Sequence, residues 1–138
     1  MLRPWILLVS APLLAGACND QPPLLAPETA VLEGVNLHLS VGLFRGLSDE
    51  LVVRLAAPDS TVIPSSVLAD SVLVVNGHET WAAALTETLP RLPGYAVFFV
   101  NEGPPWPVGS IVDVFVTVRD GTHRRLLEAP RQEIMIVW

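Results

Sequence analysis

IVDVFVTVRD, residues 111–120, has valine at every second position: Val112, Val114, Val116 and Val118. Successive side chains of a strand point to opposite faces. The four valines therefore form one row, and Asp113, Thr117 and Arg119 fall on the other face with Ile111 and Phe115. This is the longest alternation in the chain, so the stretch is read as a half-buried β-strand whose valine row faces a core.

The flanking sequence extends the same pattern. Asp120-Gly121 is a hairpin turn into a strand over His123–Leu127, and Gln132–Trp138 closes the chain as a last strand. Upstream, residues 101–109 contain three prolines and form a loop. Tyr95–Val100 is apolar on both faces and reads as a central strand, preceded by a turn at Leu92-Pro93-Gly94. Asn76-Gly77 links a strand over Ser71–Val75 to one over His78–Leu85. Ser65–Asp70 is assigned one helical turn. ELVVRLA, residues 50–56, is a strand ended by Ala57-Pro58-Asp59-Ser60. Val35, Leu37, Leu39 and Val41 alternate with Asn36, His38 and Ser40 in another.

No helical period is sustained and no internal repeat is present. The expected fold is all-β, an antiparallel β-sandwich of seven to eight strands over residues 31–138. An outer-membrane barrel fits poorly, because such barrels carry aromatic girdles and few prolines, whereas this chain has 13 prolines and nine aromatic residues.

The first 17 residues are of a different kind. Arg3 supplies a positive charge, Trp5–Leu14 form a short apolar run, and Ala15, Gly16 and Ala17 follow, the three-part layout of an export signal. A membrane-spanning helix needs roughly 20 apolar residues, more than this run offers. Leu14-Ala15-Gly16-Ala17-Cys18 resembles the lipobox of bacterial lipoproteins, with Ala15 where that family has leucine. The resemblance implies cleavage before Cys18 and a lipid on its sulfur. Ala15-Gly16-Ala17 also fits an ordinary secretory cleavage site, which gives the same mature N-terminus without lipid. Residues 18–30 are then a lipidated N-terminus and a proline-rich tether, with roughly 35–40 Å of reach at about 3 Å per residue.

Residues 51–128 resemble a bacterial immunoglobulin-like domain of the kind found in S-layer and other surface proteins. The matching stretches are Val53–Pro58, Val67–Val74, Asn76-Gly77 and Val114–Gly121. The asparagine usual in that family after the late Asp-Gly is absent. The resemblance implies an immunoglobulin-like sandwich and an adhesion or spacer role.

Composition narrows the chemistry. Cys18 is the only cysteine, and lysine is absent. With Cys18 lipidated, the domain has no disulfide, cysteine nucleophile or Schiff-base lysine. From Cys18 onward seven arginines face fourteen carboxylates, a net charge of −7 that disfavours nucleic acid as a partner. His38, His78 and His123 lack the close spacing of a metal motif and read as polar strand residues. No G-x-S-x-G elbow or glycine-rich phosphate loop occurs. Asp49-Glu50 and Asp59-Ser60 read as solvated turn residues rather than calcium ligands.

The most suggestive segment is Asn101-Glu102-Gly103-Pro104-Pro105-Trp106-Pro107-Val108-Gly109. Its prolines limit freedom, and tryptophan is enriched at binding hot spots. Glu102, Pro104, Pro105, Trp106 and Pro107 are the candidate contact residues. The competing reading has Trp106 folding back to plug the core.

The expected function is that of a noncatalytic lipoprotein of the bacterial cell envelope, without cofactor or metal. It is anchored in a membrane through Cys18 and contacts a protein or glycan. A small envelope hydrolase or metal-dependent enzyme is the alternative, to be recognised by two histidines and a carboxylate gathered in a cleft. A carbohydrate-binding module is the other, to be recognised by aligned, exposed Trp81, Trp106 and Trp138.

Overall fold

The computed structural model describes residues 26–137. The stretch read as an export signal, Cys18, most of the stretch read as a tether, and Trp138 lie outside the described residues. Nine strands follow one another: β1 (Thr29–Leu32), β2 (Val35–Gly46), β3 (Glu50–Ala56), β4 (Val67–Asn76), β5 (Glu79–Ala84), β6 (Thr86–Leu92), β7 (Tyr95–Val100), β8 (Ile111–Asp120) and β9 (His123–Val137). The one helical element among the described residues is a 3-10 turn at Pro58–Ser60.

The strands form a single curled sheet in the order β5-β4-β8-β9-β2-β3-β7-β6, with β1 also paired to β2. The all-β expectation holds, but the sheet is mixed rather than purely antiparallel. Leu43–Gly46 of β2 pair in parallel with Ile134–Val137 of β9. The cause is the length of β9. The two strands read from sequence as His123–Leu127 and Gln132–Trp138 are one element, which pairs with β8 along its first part and β2 along its last.

The valine row of β8 points inward as expected. Val112 is 2 % exposed, and Val114, Val116 and Val118 are fully buried. Across β4 they meet Val72 and Val74, and across β9 they meet Leu127 and Ala129. Leu37, Leu39 and Leu43 of β2, Leu51, Val53 and Leu55 of β3, and Phe98 of β7 complete the facing wall. Full burial of one such side chain contributes about 1.5–3 kcal/mol, so the row is a main source of stability in a domain whose only cysteine is Cys18.

Several local expectations are corrected. Ser65–Asp70 does not form a helical turn. Val67 opens β4, because Val67, Ala69 and Val72 each bury a side chain in the sheet. The hairpin after β4 turns on Gly77 and His78, closed by the pair Asn76–Glu79, with Gly77 at φ +63°. β6 has no counterpart in the sequence reading, because TETLPRL lacks apolar alternation and Pro90 argues against a strand. Arg91 compensates for its weak pattern. It donates to the carbonyls of Pro64 (2.6 Å) and Val67 (2.5 Å), pairs with Glu87, and lies over the Phe98 ring. Within the stretch read as tether, Ala26 and Pro27 are already bonded to the fold: Ala26 N donates to Glu128 Oε1, and Pro27 O accepts from Glu128 N.

Val114→Asp would put an unpaired charge into the core, at a cost beyond the usual margin of a small domain. We expect loss of cooperative melting, followed by circular dichroism. Thr117→Asp, on the opposite face of β8, is expected to melt near the wild-type temperature.

Candidate functional site

The loop between β7 and β8 sits at the end of the sheet where β2 turns into β3 and β4 into β5. Its C-terminal base is fastened to β9. Gly109 N donates to Ile134 O (2.8 Å), and Ile134 N donates to Ser110 O (3.0 Å). Gly109 stands at φ +94°, a conformation that side chains oppose. Ser110 Oγ donates to Pro107 O (2.7 Å).

Trp106 is 8 % exposed and belongs to the core. Its indole Nε1 donates to Glu79 Oε1 at 2.6 Å. A buried indole needs such an acceptor, and Glu79, the first residue of β5, supplies it. Arg45, near the end of β2, holds the loop from the other side. Its Nη1 donates to Trp106 O (2.5 Å) and weakly to Pro104 O (3.5 Å), while Nη2 pairs with Asp49 at 3.7 Å. Two remote segments, β5 and β2, thus converge on one indole and its carbonyl.

This corrects the candidate contact set. Trp106 and Pro104 are buried, whereas Glu102, Pro105 and Pro107 are exposed. The tryptophan is the plug beneath the loop: its ring joins the core, and its indole N–H reaches the carboxylate of Glu79 at the exposed start of β5. Two apolar side chains not among the candidates share this end: Leu47, 95 % exposed in the β2–β3 turn, and Val108, 45 % exposed. Leu47 breaks no pattern in sequence. Only the fold reveals that its turn stands beside residues 102–108.

The other aromatic and titratable candidates do not converge. Trp81 is half-buried against the core, so Trp81 and Trp106 form no exposed row. His38 lies on β2, His78 in the β4–β5 turn and His123 at the start of β9, all exposed. Among the described residues no three His, Cys, Asp or Glu side chains come together as metal ligands.

At the opposite end, two tight turns bring carboxylates together. Glu33, at φ +52° in the β1–β2 turn, meets Asp120 at the end of β8, near His123. A hydrogen bond shared with Asp120, then the Asp120 charge, raises the Glu33 carboxyl above its ordinary 4.5, with His123 opposing. No protein family and no curated protein matches this chain.

Two outcomes are expected. Trp106→Ala should cost about 3–5 kcal/mol of stability, as for other large-to-small core changes, read as a large fall in melting temperature. A small fall would mean that the indole does not plug the core. For the acidic pair, the raised pKa means that the favourable contribution is full below about pH 4.5 and is lost as pH rises through the folded-state value. Asp120→Asn should therefore raise the melting temperature at pH 7 and have less effect at pH 4. An equal shift at both pH values would contradict the coupling.

Proposed function

We propose that this chain is a noncatalytic, lipid-anchored module of the bacterial cell envelope, an immunoglobulin-like sandwich that works by contact through the β7–β8 loop end. The strand order supports the fold reading. The series β2-β3-β7-β6 corresponds to the A-B-E-D sheet of such domains, and β9-β8-β4-β5 corresponds to G-F-C with an added C′ strand. The curl and the parallel β2–β9 pairing join the two halves along one side.

The observation that carries the contact reading is the clamp on Trp106. With its indole bonded to Glu79 and its carbonyl to Arg45, the loop presents Glu102, Pro105, Pro107 and Val108 on a prefixed frame, with Leu47 alongside. Preorganisation lowers the entropy lost on docking, which favours a contact role for an exposed apolar tip. A protein surface is the kind of partner that suits proline, valine and leucine with a single carboxylate at the rim.

Two measurements test the two halves of this reading. Mass spectrometry of the native N-terminus should find diacylglycerol on Cys18, and Cys18→Ala should release the protein from membranes. A free thiol at Cys18 in membrane-grown protein would overturn the anchor. A photo-crosslinking residue at position 108 should capture an envelope protein in living cells, while one at position 92, at the far end, should not. Equal capture from both positions would overturn the contact surface.

A further inference from the structure

The two edges of the sheet are built differently. β6, at one edge, contains Pro90, shifts register between Thr88 and Leu92, and carries the Glu87–Arg91 ion pair. These features blunt an edge against further strands. β5, at the other edge, is ETWAAA. Beyond Glu79 it has no charge, no proline and no bulge, and among the described residues it pairs with β4 alone.

The register fixes which backbone groups are free. A two-residue turn is closed by a hydrogen-bonded pair, here Asn76–Glu79, and such pairs then alternate along an antiparallel ladder. Trp81 and Ala83 therefore use their N–H and C=O groups on β4. Thr80, Ala82 and Ala84 point theirs away from the sheet.

We propose that β5 is a dimerisation edge, at which a second copy of this chain adds its own β5 antiparallel about a two-fold axis at Ala82. In that register Thr80 faces Ala84 of the second copy and Ala82 faces Ala82, each pair exchanging two backbone hydrogen bonds. Every free group between Thr80 and Ala84 then has a partner. The only charge on the strand avoids its counterpart, because Glu79 falls opposite Leu85 and the two Glu79 carboxylates lie at opposite ends of the seam. The side chains facing solvent along the edge, Thr80, Ala82 and Ala84, are small and leave no pockets to read a foreign peptide, whereas alanine packs against alanine. The inward-facing Trp81 side chains come to diagonal positions across the axis, within reach of each other. Two-fold pairing of identical surfaces is also the commonest form of homo-oligomer.

The test is sedimentation equilibrium of the full chain extracted in mild detergent, with amide hydrogen exchange read on the same samples. The wild type should form a dimer, with the Thr80, Ala82 and Ala84 amides slowing as concentration rises. Ala82→Pro removes a donor that faces away from β4, a position where an edge strand tolerates proline. It deletes one bond from each copy and should weaken the dissociation constant by about hundredfold. Ala82→Lys sets two like charges on the axis and should do the same, so the proposal stays testable if the proline variant fails to fold. A wild type that is monomeric up to about 100 μM overturns it. So does a dimer that survives Ala82→Lys with an unchanged dissociation constant, or protection of these amides without a doubling of mass.

Discussion

Strand β9 belongs to both halves of the sheet, and what permits this is confined to Pro130 and Arg131. Ala129 faces Val114 and Gln132 faces Val112, so two residues of β9 stand opposite Asp113 alone. Pro130 has no N–H to leave unbonded, and Arg131 takes φ +54°, with its N–H donated to Asp113 Oδ1 at 2.9 Å. The bulge redirects the strand from β8 to β2. The approach beyond it is close: a Cβ on Gly46 would lie 1.9 Å from the carbonyl oxygen of Val137. Glycine at position 46 is therefore a condition of the parallel seam, and the seam joins the second strand to the last.

The loop end depends on that seam. Arg45 lies within the paired segment, opposite Ile136, which sets the root of its side chain. Its guanidinium then reaches the carbonyls of Pro104 and Trp106. Ile134 of the same segment bonds the base of the loop through Gly109 and Ser110. A proline-rich loop that would otherwise be stiff but unplaced is thus tied to β2, β5 and β9 together. Rigidity here comes from burial and hydrogen bonds, since a single cysteine gives the chain no internal disulfide.

What the sequence made legible was local. The β8 valines and the hairpins after Asn76 and Asp120 follow from period-two burial and from turn chemistry, which act within a few residues. The mixed pairing was not legible, because it joins residues 43–46 to 134–137, and no local signal encodes a partner ninety residues away. Phe115 shows the same limit. It lies on the face with Asp113 and Thr117, yet it is 3 % exposed, paired with Glu128, whose carboxylate turns to Ala26 N. At the loop, proline spacing correctly indicated constraint, but whether Trp106 faced in or out was decided by an acceptor on β5. Arg45 and Arg91 escaped notice for the related reason that their partners are backbone carbonyls, which carry no sequence signature.

The N-terminal entry bears on how the domain would stand at a membrane. Glu28 O accepts from Leu39 N, and Ala26 and Pro27 bond to Glu128, so the chain is fixed between β2 and β9 from residue 26. Under the lipid-anchor reading, only eight residue steps separate Cys18 from Ala26. At about 3.1 Å per residue that is roughly 25 Å, not the 35–40 Å that a tether to residue 30 would give. In the strand order β5 stands three places from β9, or about 14 Å at the usual strand spacing. An N-terminal attachment between β2 and β9 and an open edge at β5 are thus compatible in one sheet: the described chain enters on one side and leaves the backbone groups of Thr80, Ala82 and Ala84 clear on the other.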